Sequence, residues 1–248
     1  MTARFAIASL LPFALLATGL LMDVATAGPA AVVYIPVVVK GEKEVEYRGG
    51  YRTFDNAPSE HANILELGYG VTDNWFTELE IEQSSEGAGP NRVEAWEWEN
   101  IIVLTERGKY WADLGLFAAY EHTFADGPDK VKIGPMFMKE VGPTVANINL
   151  LFGREVGRDA AHETSLGYAW QLKWRGREAF EFGLQGLGEV GVFGHLGQDQ
   201  SHSAGPALFG VKRLGEGRKV SWNAALLGGL NASAPDLTFR TQIEFEMY

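Results

Sequence analysis

Three glutamates at alternate positions constrain this chain more than any other feature. Glu78, Glu80 and Glu82 are separated by Leu79 and Ile81 and preceded by Trp75 and Thr77 in the stretch LELGYGVTDNWFTELEIE, residues 65–82. Period-two alternation marks a strand with two unlike faces, here one apolar and one carrying a column of carboxylates. The same alternation runs through Leu65, Leu67, Tyr69 and Val71, and Thr72, Asp73 and Asn74 between the two runs are residues that tight hairpin turns use. The stretch is a β-hairpin, and its fold depends on which face meets water.

Alternating runs recur along the chain. They fall at 42–53, 62–71, 75–84, 93–104, 110–122, 130–141, 145–155, 164–174, 179–189, 202–213, 220–230 and 238–248. About twelve strands follow, with ten or fourteen as the counting error, and no amphipathic helix pattern interrupts them. The class is all-β. TDN, TERGK, GPT, RGRE and LGEGR read as tight connections, whereas DNAPSE, EGAGPN, TFADGPD, GRDAAH, VFGHLGQDQS and NASAPD are longer on average. Short turns on one side and longer loops on the other, with both chain ends on the short-turn side, are what antiparallel up-and-down transmembrane barrels have.

Residues 1–27 read as a secretory signal, with Arg4 before an apolar stretch and Ala25, Thr26 and Ala27 as a small-residue cleavage site. Nothing after Met22 approaches the ~18 consecutive apolar residues of a membrane helix, so any crossing is made by strands. Residues 28–40, GPAAVVYIPVVVK, form an apolar N-terminal segment broken by Pro36. A periplasmic lead-in, an extra strand segment and a plug are all open readings for it, and the barrel is assigned to 41–248. The chain has no cysteine, so packing and backbone pairing alone hold it together. Its formal charge of -11 argues against nucleic acid as a partner, because phosphate recognition needs basic patches.

The two faces can be assigned by magnitude. A charge turned to the lipid midplane costs about 2–4 kcal/mol, so Glu78, Glu80 and Glu82 on that face would stop the strand inserting. A soluble barrel of about twelve strands would enclose more space than side chains fill. A two-sheet sandwich is the competing soluble architecture. The apolar row is therefore expected toward lipid and the acidic row toward the lumen. Tyr69, Trp75, Tyr110, Trp174, Phe180, Trp222, Phe245 and Tyr248 gather at the short-turn ends of their strands, as a membrane-interface girdle would.

With that frame, parity sorts the lumen. The acids are Glu44, Glu46, Glu66, Glu78, Glu80, Glu82, Glu97, Glu99, Asp113, Glu121, Glu140, Glu155, Glu181, Glu189, Glu244 and Glu246; the bases are Arg48, Arg52, Lys130, Lys132, Lys173, Arg213 and Arg240. Such an excess favours cations over anions. Hairpin register sets Glu66 opposite Glu80, Glu80 opposite Glu97 and Glu78 opposite Glu99. Like charges across a ladder repel, so they call for Arg48, Lys130 or Lys132, a bound cation or a shared proton. This ladder, with Arg52 beside it, is the expected pore lining.

The stretches LGYGVTDNWFTELEIE, EAWEWEN, EFGLQGLGE, GPALFG and IEFEMY resemble a group of proteobacterial outer-membrane barrel proteins, loosely related to transporters described as belonging to the MetA pathway of phenol degradation. The resemblance covers most of residues 28–248 and rests on strand and turn signatures. It implies an outer-membrane barrel of a Gram-negative bacterium, with outer-membrane lipid and the barrel-insertion machinery as partners. Barrels of this kind end on an aromatic residue in the lipid-facing frame; here Phe239, Thr241, Ile243, Phe245 and Met247 hold that frame and Tyr248 falls one residue outside it.

Two motifs fail their context. Gly186, Gly188 and Gly191 match GxGxxG without the helix that a dinucleotide site needs, and are expected to relieve crowding where a strand bends. Ser201, His202 and Ser203 alternate between faces and lack a third catalytic partner. His61, His122, His162, His195 and His202 all fall on the long-loop side without metal-ligand spacing. The functional expectation is a passive porin-like channel for small hydrophilic solutes, cationic or neutral, with no cofactor, metal or catalytic residue. A closed barrel with a structural or surface-recognition role is the alternative, and a membrane-embedded lipid hydrolase a more distant one.

Overall fold

The computed structural model describes residues 28–124, 127–158, 160–198 and 200–248, so the signal reading for residues 1–27 lies outside the described residues. The strands are β1 (Lys43–Thr53), β2 (Glu60–Gly70), β3 (Trp75–Glu86), β4 (Arg92–Val103), β5 (Asp113–Thr123), β6 (Asp129–Val141), β7 (Thr144–Val156), β8 (Thr164–Arg177), β9 (Phe180–Val192), β10 (Ser201–Gly215), β11 (Arg218–Gly229) and β12 (Leu237–Met247). Each pairs antiparallel with its neighbours in sequence, and β12 returns to β1 from Lys43 opposite Met247 to Thr53 opposite Leu237. Closure leaves no edge with unpaired backbone groups. Every alternating run is a strand, its ends shifted by a few residues.

One turn differs from expectation. Tyr110 was expected to open a strand, but β5 begins at Asp113 because Thr105 Oγ1 accepts from Leu114 N (2.8 Å) and Asp113 Oδ1 accepts from Gly108 N (2.6 Å). Those bonds hold 104–112 as a broad turn, so TERGK is not a tight connection. At the same end, 142–143, 178–179 and 216–217 are minimal turns. Glu216 and Gly217 both have positive φ, 53° and 70°, the combination that lets a two-residue hairpin follow the twist of its strands.

Alternation places Leu65, Leu67, Leu79, Ile81, Ile133, Ile148, Leu172, Leu184, Phe239 and Ile243 on an exposed outer face. Gly186 and Gly188 share that face, and they relieve crowding as expected. A methyl there would lie 2.3 Å from the Trp170 ring and 2.4 Å from the Tyr168 ring, so these glycines let aromatic rings of β8 lie flat across β9.

Inside the barrel lies the N-terminal segment, residues 28–40, as a plug. It enters past the short-turn end, where Gly41 N donates to Gly70 O (2.8 Å) and Gly70 N donates to Glu42 O (2.9 Å). At both ends its backbone runs against glycine: a methyl on Gly70 would sit 2.0 Å from Val39 O, and one on Gly50 would sit 2.0 Å from Pro29 O. Only a residue without Cβ permits such an approach. Between those points Val33 packs with Ala169, Leu187, Ala207, Phe209, Ala225 and Leu227, while Tyr34 and Val38 pack on Phe76, Ile101, Phe117 and Met136. These contacts place residues 28–40 inside the barrel.

Candidate functional site

The acidic hairpin belongs to a longer construction. In register, Glu244 of β12 lies opposite Glu46 of β1, Glu46 opposite Glu66, Glu66 opposite Glu80, Glu80 opposite Glu97, and Glu97 opposite Glu121 of β5. Beyond Glu121 comes Lys130. A second row runs beside the first: Lys219, Glu246, Glu44, Gly68, Glu78, Glu99, Ala119, Lys132. Closing a barrel forces its strands to stagger, so a row in the hydrogen-bonding direction climbs as it goes round. Glu244 and Glu246 sit near the short-turn end of β12, and Glu121 near the long-loop end of β5. The two rows thus form a carboxylate ramp from one mouth to the other.

Opposed carboxylates need cations, and the ramp has them at three points. Midway, Arg48 Nη2 donates to Glu66 Oε2 at 2.9 Å and to Glu80, and Arg48 Nε lies 3.2 Å from Glu46 Oε1 without hydrogen-bond alignment. At the long-loop end Lys132 Nζ bridges Glu97 Oε2 (2.6 Å) and Glu121 Oε2 (2.8 Å), with Lys130 Nζ 3.2 Å from Glu121 Oε1. At the other end Lys219 pairs with Glu246. Among the described residues Glu44, Glu78, Glu82 and Glu99 have no ion pair with a base. Glu99 accepts a hydrogen bond from the Tyr34 hydroxyl at 2.7 Å, and its Oε2 is buried without a partner. Groups of three or more potential metal ligands that converge are Glu44, Glu46 and Glu66, and Glu66, Glu80 and Glu99; none of the described histidines joins such a group.

The plug divides the lumen into two cavities. One of about 870 Å³ opens on the long-loop side and is lined by Arg52, His61, Glu82, Glu97, Glu121, Lys130, Lys132 and Glu189. The other, about 310 Å³, lies on the short-turn side against Glu42, Glu44, Glu46, Glu66, Glu78, Glu244 and Glu246. Val32, Tyr34 and Arg48 line both. The partition therefore stands where the guanidinium grips the middle of the ramp.

Of the expected pore-lining set, Arg48, Glu66, Glu78, Glu80, Glu97 and Glu99 are buried inside the barrel, while Arg52, Glu82, Lys130 and Lys132 are half-buried toward the long-loop mouth. Arg52 Nε donates to Glu60 Oε2 at 2.7 Å. Two residues placed in the lumen by parity sit at its rim instead. Arg213, at an irregularity in the β10–β11 register, donates to Glu178 Oε1 (3.0 Å) in the turn before β9, and its hydrogen bonds hold the Glu178 carboxyl below its usual range. Glu140 accepts from Arg107 (2.6 Å) and Arg175 (2.9 and 3.0 Å) at the short-turn mouth.

Among the girdle residues Tyr69, Trp75, Tyr110, Trp174 and Phe180 are exposed, with Trp75 Nε1 donating to Asn100 Oδ1 (2.9 Å), and Trp222 and Phe245 are half-covered. Tyr248 turns into the mouth: its hydroxyl donates to Glu246 Oε2 at 2.5 Å and its ring lines the smaller cavity. Trp111, 80% exposed in the broad turn, is absent from the expected girdle because the run drawn from Tyr110 put it, with Asp113, on the inward face.

Sequence reasoning also missed the plug's anchors. Tyr34 N donates to Asn149 Oδ1 (2.8 Å) and Asn149 Nδ2 donates to Tyr34 O (2.9 Å), so a fully buried amide on β7 pairs with the plug's backbone as a strand would. Asn147 and Asn149 at alternate inward positions were the available signal. Arg240, 1% exposed, donates to Gln185 Oε1 (3.2 Å) across the lumen.

No family model and no curated protein matches the chain. Solved structures do. The chain is similar to the COG4313 outer membrane channel from Pseudomonas putida F1, at 13% identity and a TM-score of 0.56, over 87% of this chain and 97% of that one. The NanC porin matches at 11% identity and a TM-score of 0.56, over 81% and 98% of the two chains. The translocator domain of the autotransporter NalP from Neisseria meningitidis matches at 10% identity and 0.51, over 85% and 89%. At such identities the likeness speaks for the barrel fold alone.

Proposed function

We propose that this chain is a porin-like barrel of the Gram-negative outer membrane that passes small hydrophilic solutes, cationic or neutral, along its acidic wall. Closed pairing, an apolar exterior and a charged interior suit a strand barrel in lipid, since an uncovered edge or an outward carboxylate would oppose insertion. The likeness to outer membrane channels, and the resemblance of its strand and turn motifs to the MetA-pathway transporters, support the same class.

The observation that carries the cation preference is the ramp. Carboxylates at successive heights offer a cation a series of weak sites, and conduction needs binding that is repeated and releasable. Three groups of basic side chains interrupt the series without balancing it. Reversal potentials in a salt gradient test the reading: with Glu78, Glu80, Glu97 and Glu99 changed to Gln, the cation preference should fall, and an unchanged preference refutes the assignment.

A second reading, the closed barrel with a structural or recognition role, is favoured by the plug. Its discriminating result is the absence of conductance in the full mature chain together with large conductance when residues 28–40 are deleted.

A further inference from the structure

Glu82 has neither an ion pair nor a hydrogen bond among the described residues, although it stands half-buried in a wall where Glu80 and Glu97 have partners. Facing it is the start of the plug. A methyl placed on Gly28 would lie 3.8 Å from Glu82 Oε1. Gly28 is held there from several sides: Ala31 N donates to Gly28 O (3.0 Å), Pro29 lies against Gly50, and Ala30, 2% exposed, is packed with Ala62 and Ile64.

The small-residue triplet ends at Ala27, so cleavage there makes Gly28 the first residue and turns its nitrogen into an α-ammonium. We infer that this new terminus is a ligand of the acidic wall: processing after Ala27 creates a cation inside the barrel that pairs with Glu82 and locks the outer end of the plug.

The step is hydrolysis of the peptide bond between Ala27 and Gly28. One water is consumed, the carboxylate leaves with the signal, and the amine takes up a proton at neutral pH. The pair explains why an acid at this height has no basic side chain beside it. Arg48, the cation nearest in the register through Ile64, is held by Glu46, Glu66 and Glu80, and Lys132 is already shared by Glu97 and Glu121. It also gives the plug a charged anchor in the larger cavity to complement Tyr34 at the partition. The proposal rests on reading the chain as an exported, processed barrel.

The test uses the mature protein purified from membranes of expressing cells. Intact mass reports the first residue, and a start elsewhere than Gly28 overturns the inference by itself, whatever the barrel conducts. The folded protein is then treated with a small amine-acylating ester, and labelling of the Gly28 α-amine and of Lys130 is followed by peptide mass spectrometry. Lys130 lines the same cavity, pairs with Glu121 and serves as the internal standard for access. A neighbouring carboxylate holds an amine protonated and unreactive, so Glu82→Gln should accelerate labelling of the α-amine roughly tenfold while leaving Lys130 unchanged. Glu82→Asp should largely restore the slow rate. Acceleration of both amines together would mean a loosened cavity, and acceleration of neither would mean no pair; either result overturns the assignment. Conductance of the same variants separates this from the channel reading, because the pair stands or falls on labelling alone.

Discussion

At mid-height the lumen has two walls made by the same strand geometry with opposite chemistry. From β12 through β5 the inward positions carry the carboxylate ramp. From β7 through β11 they carry Asn147, Asn149, Ala169, Gln171, Gln185, Leu187, Ala207 and Ala225, uncharged side chains that are mostly alanine or amide, with the charges kept toward the ends. The plug is matched to both. In an extended segment neighbouring side chains point opposite ways, and Val33 enters the alanine wall while Tyr34 reaches Glu99 on the acidic one. Period-two patterning says that a face is inward; the identity of the inward residues says whether that face repels a chain, solvates an ion or receives a peptide.

If the acidic wall persists only because Arg48 divides its charge, removing the guanidinium should have the largest effect of any single change. Arg48→Met leaves Glu66 and Glu80 buried without their shared donor and Glu46 without its neighbouring cation. Breaking a buried ion pair by deleting one partner costs about 3–5 kcal/mol. Urea unfolding of the refolded protein in lipid should show a loss of that order, with Arg48→Lys intermediate because an ammonium cannot span the same carboxylates. A loss no larger than that of a surface charge would mean the wall is solvated well enough to need no internal cation.

The apolar wall is tested by size instead of charge. Ala207, 2% exposed, leaves the space that Val33 fills. Ala207→Leu should cost about 1–3 kcal/mol through overpacking, which the fold can relieve only by moving the plug. Faster proteolysis within residues 28–40, with the barrel itself intact on a gel, is the expected result. Equal protection of variant and parent would place the plug's hold on the acidic wall alone.

Tyr34→Phe asks what the contact between the walls contributes. The hydroxyl gives Glu99 its hydrogen bond, and the carboxylate's other oxygen has no partner. Hydrogen bonds to charged groups contribute about 1.5–3 kcal/mol, and the ring's stacking on Phe117, centroids 4.1 Å apart, would remain. Plug release should therefore rise by an amount comparable to that of the overpacked wall, and Tyr34→Phe combined with Glu99→Gln should add little to either change alone.

How far these walls could be read in advance divides along the same line. Strand existence, inward parity and the opposed pairs Glu66–Glu80, Glu80–Glu97 and Glu78–Glu99 followed from hairpin geometry, because alternation and turn residues are local. Glu46 opposite Glu244 was not visible, since it depends on how β12 closes onto β1 and so on the stagger of the whole barrel. Asn149 and Tyr34, 115 positions apart, meet only once the plug is inside. Tyr110 was misplaced because alternation of apolar residues continued into a turn that Thr105 and Asp113 hold open.

The smallest effect belongs to the rim, which supplies the control for the acidic wall. Glu140 accepts hydrogen bonds from both Arg107 and Arg175, more than any carboxylate of the ramp receives from arginine. Its side chain is 33% exposed, against 4–5% for Glu66, Glu80 and Glu46. Water screens the pair and replaces its bonds, so Glu140→Gln should change stability by under about 1 kcal/mol despite the better geometry. Raising the salt should reduce that difference further, while leaving the Arg48→Met deficit nearly unchanged, because mobile ions reach the rim and not the middle of the plugged lumen. Equal salt sensitivity at the two sites would show that ions do reach Arg48, and the contrast between a screened rim and a sealed acidic wall would then be lost.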